Sequence, residues 1–188
     1  MSLAIQAKAQ LEAAGHQAAL SLMDDLAAQK TTLGQAELRE MHRLLFAHSW
    51  PESAGRFRTE NIEITGTSFL PPHWQQVPTL TYQALSSLDY RLTQVQGDAI
   101  SDIVEMAAQA HYDIAAIHPF RDGNGRIARL LLNYVFRYFD LPYVVIPLEA
   151  RERYLDALDA ANRGDMAPFI ALTFEQYERS LNQALGLT

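Results

Sequence analysis

Helix-breaking residues crowd into two stretches of this chain, and that placement restricts the fold more than any other feature. Pro51, Gly55, Gly66, Pro71, Pro72 and Pro78 fall between Trp50 and Pro78, and Pro119, Gly123 and Gly125 fall between His118 and Gly125. The segments around them carry apolar residues at helical spacing. Leu11, Ala14, Ala18, Leu22 and Leu26 predict a helix from Leu3 to about Ala28, interrupted near Gly15. A second helix is expected with Thr32 near its cap, running through Leu38, Met41, Leu44, Leu45 and Phe46 and ending before Pro51. Thr79–Gln94 and Asp98–Ile117 read as two more. Another opens at Arg126 and runs to about Phe139, and Glu149–Ala161 and Met166–Leu185 complete the set. In the first breaker-rich stretch, Asn61–Thr65 alternates as a short strand does, Gly66 stands at a turn, and Ser68–Leu70 follows. The expected fold is therefore all-α with one small β-hairpin over Ile62 to Leu70, which needs packing support because a lone hairpin is marginal in water.

A chain of 188 residues is long enough for one domain with its own core. The pattern divides it into an N-terminal helical extension over residues 1–30 and a main domain over 31–188. The formal net charge of −7 argues against broad binding to nucleic acid or to an anionic membrane, so any phosphate site must be built from local groups. No cysteine is present, which excludes disulfides and thiolate metal sites and fits a cytoplasmic setting. No apolar run is long enough to span a bilayer, and the N-terminus lacks a signal-peptide pattern.

The second breaker-rich stretch carries the chemistry. A helix, a glycine-punctuated loop and a new helix together form an anion site, because the first turn of a helix has unpaired N–H donors and a positive dipole end. Glycines on both sides of Asn124 let the backbone curl into a nest of N–H groups. Arg126 and Arg129 lie three positions apart and project from one side of the new helix, placed to grip separate phosphates. Asp122 is a hard oxygen ligand suited to Mg²⁺ shared with those phosphates. His118 is a base with a reference pKa near 6.5. Taken singly, each has a plainer reading: a helix-end histidine, a turn, a cap, a solvated face. Their order and spacing point to a phosphate-transfer site.

The run His118-Pro119-Phe120-Arg121-Asp122-Gly123-Asn124-Gly125-Arg126-Ile127-Ala128-Arg129 resembles the Fic family signature H-x-F-x-[DE]-G-N-G-R-x-x-R at all its defined positions. Gly55-Arg56-Phe57-Arg58 is similar to the family's G-x-[FY]-R segment, and Ala110-His111-Tyr112 to its lead-in. The resemblance covers about Leu38 to Leu181. It implies a Fic-type helical domain acting as a protein adenylyltransferase: AMP moves from ATP to a Tyr, Thr or Ser hydroxyl of a target protein, and pyrophosphate leaves. On this reading His118 is the general base, Asp122 binds Mg²⁺, and Gly123, Asn124 and Gly125 hold phosphate oxygens. Arg126 meets the β-phosphate region and Arg129 the γ-phosphate, while Phe120 anchors the loop. The hairpin becomes a flap, Ile62, Glu63, Ile64, Thr65, Gly66, Thr67, Ser68 and Phe69, that docks an extended target segment. Other donors, UTP or CDP-choline, AMP removal, and a nucleotide-binding module without transfer remain alternatives.

Fic relatives are often silenced by a helix bearing [ST]-x-x-x-E-[GN], whose glutamate pairs with the second arginine, here Arg129. That pattern is not found in this sequence, so inhibition is expected from a separate antitoxin-like protein, from a missing segment, or not at all. Toxin-like activity when unopposed is an expectation of this reading, as is a bacterial cytoplasmic setting; an oligomer and delivery to a host cell are left open. His16, His42, His48 and His73 have no partner at metal-ligand spacing and read as surface or packing residues. His111 is expected to satisfy a local hydrogen bond. Tyr154 and Asn162 lie where relatives place contacts to the nucleotide base.

Overall fold

The computed structural model describes residues 3–187. Seven α-helices follow one another: α1 Leu3–Ala28, α2 Gln35–Phe46, α3 Val77–Gln94, α4 Ile100–Ile117, α5 Asn124–Tyr138, α6 Arg151–Asn162 and α7 Ala167–Ala184. Central helices α4 and α5 pack most extensively on each other, α1 lies across α2 and α5, α3 flanks α4, and the α6–α7 pair closes the other side of α4. Buried Ile103, Val104, Met106, Ile114, Ile127, Leu131 and Phe136 come from the facing stripes of α4 and α5. Each such side chain contributes roughly 1.5–3 kcal/mol of transfer free energy when fully buried. A smaller cluster around Ala108, Ala157, Phe169 and Leu172 joins α6 and α7 to α4. Among the described residues, no helix is long and apolar enough to cross a membrane.

Helix boundaries depart from the sequence expectation where tertiary contacts intervene. α1 continues through Gly15 without interruption, because the missing side chain lets α2 approach: a Cβ there would stand 2.6 Å from the carbonyl oxygens of Leu44 and Leu45. α2 begins at Gln35 rather than at Thr32, with Glu37 reaching back 3.0 Å to the N–H of Gly34. Pro78 does not precede α3; it sits inside its first turn, where no intrahelical N–H is needed.

The expected β-hairpin is not formed. Residues 59–73 hold no strand, and a single turn bond, Thr67 N–H to the Ile64 carbonyl at 3.4 Å, spans the bend at Gly66, whose φ is +89°. The arms are held instead by side chains. Thr67 Oγ1 donates to Asp159 on α6 at 2.9 Å, Trp74 N–H donates to Asn61 Oδ1 at 3.0 Å, and Arg58 reaches the carbonyls of Glu60 and Pro72. Alternation of exposed and half-buried residues from Asn61 to Leu70 survives without a ladder, so the pattern reported which side faces the protein, not pairing between the arms.

Candidate active site

His118 ends α4 in the left-handed conformation, φ 51° and ψ 59°, with its N–H bonded to the Ile114 carbonyl at 3.0 Å. Pro119 has no N–H to continue the helix, and the chain turns sharply into the loop. A non-glycine residue held at positive φ costs about 1–3 kcal/mol and is retained where the surroundings fix it. Here they do. The buried Arg58 donates from Nε to the His118 carbonyl at 2.9 Å and from Nη2 to Ile117, and its own N–H bonds the Pro119 carbonyl at 2.9 Å. Arg58 thus ties the stretch before Pro72 to the start of the motif.

Hydrogen bonding sets the tautomer of His118. Nδ1 lies 3.2 Å from the Ala115 carbonyl, which only accepts, so Nδ1 carries the proton and Nε2 keeps its lone pair. Burial, then the neighbouring Arg58 charge, pulls the His118 pKa below 6.5, against the opposing Ala115 bond. The imidazole is therefore neutral and basic at neutral pH.

The loop itself is closed by Asn124. Its side-chain oxygen accepts from Phe120 N–H and its nitrogen donates to the Phe120 carbonyl, both at 2.8 Å, and the residue is buried. The side-chain amide is spent on the loop, so Asn124 has its backbone N–H to offer an anion. Phe120 anchors the loop from below as expected, stacked at 3.8 Å on His42 and tilted against Phe57.

His42 is the residue that sequence reasoning undervalued. Its Nδ1 accepts from Gly55 N–H at 2.9 Å, so Nε2 carries the proton and donates to the Asp122 carbonyl at 3.0 Å. Burial lowers its pKa to about 4, which keeps it neutral and this wiring intact. Its i, i+4 neighbour Phe46 packs against Gly123, a packing signal readable in the sequence, but the partner 80 residues away is not.

Asp122 keeps its carboxylate in solvent, with 62% of its side chain exposed; one oxygen takes the N–H of Gly123 at 2.5 Å and the other lies 3.8 Å from Arg126 Nη2. Arg126 rests 4.6 Å from the Phe46 ring centroid and forms an ion pair with Glu12 of α1 at 3.1 Å. The sequence pattern for an inhibitory glutamate is absent, yet the fold supplies a carboxylate, and it meets the first arginine rather than Arg129.

Two adjoining cavities meet at Gly125, Tyr154 and Leu155. One, of about 180 Å³, is bounded by Thr65–Thr67, Phe69, Tyr112, His118, Asp159 and Asn162. The other, of about 500 Å³, is bounded by Arg129, Arg151 and Ile146–Leu148. His118 thus lines the smaller, mostly apolar pocket, which is joined at Gly125, Tyr154 and Leu155 to the pocket that holds Arg129 and Arg151. His111 is not bonded locally: its Nε2 lies 3.3 Å from the Tyr154 hydroxyl, across to α6.

Residues 32–136 match the model of the Fic/DOC family. The chain is 33% identical over 150 residues to the protein adenylyltransferase fic-1 of Caenorhabditis briggsae, covering 80% of this chain and 28% of that one. It is 31% identical over 177 residues to the protein adenylyltransferase Fic of Drosophila mojavensis, covering 94% and 34%. It thus spans 28% to 34% of the length of these curated relatives. A solved structure of Fic-1 from C. elegans is similar over the whole of this chain and 53% of its own, with a TM-score of 0.79 at 30% identity. A Fic domain containing signalling protein from Bacteroides thetaiotaomicron, at 24% identity, TM-score 0.77 and coverage of 94% and 72%, shares the fold. The motif loop wired by Arg58, His42 and Asn124 and the family match over residues 32–136 agree: this chain belongs to the Fic/DOC family.

Proposed function

We propose that the chain transfers AMP from ATP to a hydroxyl side chain of a target protein. The observation that carries this reading is the free Nε2 lone pair of His118 in the wall of the smaller cavity, beside the Gly125 edge that opens into the cavity of Arg129. The target hydroxyl gives its proton to Nε2 as its oxygen bonds the α-phosphorus. The bond from that phosphorus to the bridging oxygen breaks, and pyrophosphate leaves with the electron pair. The N–H groups of Gly125 and the following residue in the first turn of α5, with Arg126 and Arg129, face charge that grows during the step. The Asn124 N–H at the start of α5 joins them, and Gly123, in the left-handed conformation, shapes the nest that holds the phosphate oxygens.

Asp122 fits a Mg²⁺ shared with substrate phosphates. Its carboxylate is exposed, and no group of three or more His, Asp or Glu among the described residues would cage a metal alone. When bound, the ion neutralises charge on the phosphates and the leaving group.

The segment Ile62–Phe69 serves as the target-docking flap. With no ladder between its arms, their backbone groups are free to pair with an extended peptide, which would select targets by shape more than by sequence. Purified chain incubated with α-labelled ATP, Mg²⁺ and lysate is expected to label protein; ATP binding with no label under any lysate would favour the binding-module alternative.

Glu12 occupies the Arg126 guanidinium and must yield to a phosphate. The pair is about three-quarters screened from solvent on both sides, with side chains 23% and 28% exposed. Glu12→Gln is therefore expected to tighten ATP binding about two- to fivefold, the scale of a partly exposed ion pair. Calorimetric titration checks it, and unchanged affinity would remove Glu12 from any inhibitory role.

Because burial holds the His118 pKa below 6.5, the base stays unprotonated until the pH falls through that lowered value. The imidazole proton resonance of His118, assigned by its loss in His118→Asn, is expected to titrate below 6.5. The rate of label transfer should fall over the same window. A midpoint above 6.5 would contradict the burial argument.

A further inference from the structure

His111 is a costly residue for its position. It is fully buried in the middle of α4, with the Phe169 ring centroid 4.8 Å away, and its Nδ1 has no hydrogen-bond partner among the described residues. An apolar side chain of similar size would spare the fold an unpaired buried polar atom. What His111 does have is Tyr154: Nε2 is 3.3 Å from the hydroxyl, and the rings meet edge to face at 5.6 Å. Tyr154 projects from α6 into the wall shared by both cavities. Burial raises its pKa and the Arg129 charge acts against that rise; Arg129 and Tyr154 both line the larger cavity, as does Gly125.

Donor and acceptor counts fix the protons along this chain. A guanidinium has donors only, so when Arg129 turns to the Tyr154 oxygen across their shared cavity wall, that oxygen is the acceptor. The single hydroxyl proton then goes to His111 Nε2, and the imidazole proton sits on Nδ1, the atom without a partner. Burial first, and then the Arg129 charge, lowers the His111 pKa to about 3, so the imidazole remains the neutral acceptor this arrangement needs.

Arg129 has reason to be held. It is exposed on α5, forms no ion pair among the described residues, and has a long side chain with many rotamers. Its guanidinium folds back over the first turn of the helix, where a Cβ at Gly125 would lie 3.4 Å from Nη1. We propose that His111 is a positioning residue which, through the Tyr154 hydroxyl, sets the direction of the Arg129 guanidinium toward the terminal phosphate of the nucleotide. The inference rests on the adenylyl-transfer reading, because it needs a polyphosphate in the cationic cavity. It separates the phosphate end of the site, where His111 acts, from the α-phosphate, where His118 acts.

The test compares ATP and AMP affinity, by calorimetric titration, in the unmutated chain, Tyr154→Phe, Arg129→Ala and the double variant. Tyr154→Phe keeps the ring and removes the hydroxyl. It is expected to weaken ATP about tenfold, to leave AMP unchanged, and to add nothing once Arg129 is alanine. His111→Leu should reproduce the Tyr154→Phe loss, and His111→Gln, whose amide oxygen can take the hydroxyl proton, should restore most of it. Equal weakening of ATP and AMP, additive losses in the double variant, or unchanged ATP affinity in Tyr154→Phe would each overturn the proposal. If the unmutated chain binds neither nucleotide, the adenylyl-transfer reading falls and takes the inference with it. If it binds ATP and Tyr154→Phe matches it, the inference alone falls.

Discussion

His118→Ala is expected to cut transfer of label from ATP to protein by about 10²- to 10⁴-fold, the range a positioned general base contributes. ATP binding should change little, because the phosphate contacts come from α5 and its preceding loop and not from the imidazole. Two effects must be kept apart. His118 sits at φ 51°, a backbone state alanine tolerates poorly, so His118→Ala also strains the end of α4. Asparagine accepts left-handed backbone readily and is no base at neutral pH, so His118→Asn should lose the same activity while matching the unmutated chain in thermal unfolding. A loss smaller than about tenfold in both variants would place the base elsewhere, since a residue that takes the proton in the transition state cannot be removed so cheaply.

The largest stability effect is expected at Gly123. Its φ is +80°, and an added Cβ would lie 2.6 Å from Phe46 Cε2 and 3.1 Å from Cζ. Phe46 is itself 1% exposed and cannot swing away without disturbing His42 and the turn after α2. Left-handed strain of about 1–2 kcal/mol and overpacking of about 1–3 kcal/mol act together in Gly123→Ala. A total of roughly 2–5 kcal/mol corresponds to a melting temperature lower by about 5–15 °C for a chain of this size. Gly125→Ala is the contrast. Its added Cβ would meet only the far end of the flexible Arg129 side chain, at 3.4 Å, and its φ is ordinary for a helix, so it should shift stability by less than about 1 kcal/mol. Thermal or denaturant unfolding of the two variants side by side decides the matter. Equal, small effects would mean that the loop relaxes more freely than its packing suggests.

Much of the candidate site was legible because the groups proposed to do its chemistry lie in one short segment. His118, Asp122, Gly123, Gly125, Arg126 and Arg129 span twelve positions, and a helix end, a tight loop and a helix start leave such a segment few ways to fold. The helices were legible for a related reason: 3.6-residue periodicity is a local property, and what changed were ends, at Gly34, Pro78 and Asn124, and the expected break at Gly15, where capping and packing decide. The hairpin was misread because alternation of exposure is shared by a paired strand and by an extended segment laid against a surface. Residues 62–70 are the second, fastened by Thr67 to Asp159 and by Arg58 to Pro72 rather than by a ladder.

By itself, then, the sequence determined the helical architecture and the glycine-punctuated turn into α5, and singled out His118 as the proposed base, since each depends on spacings of a few residues. Tertiary structure alone decided how those groups are tuned. It joined His42 to Asp122 across 80 positions, Arg58 to His118 across 60, His111 to Tyr154 across 43 and Glu12 to Arg126 across 114. Those partners have no periodic or local signal. They are chosen by which helix faces pack together, and the burial that follows is what sets the tautomers, lowers the histidine pKa values and assigns each arginine its neighbour.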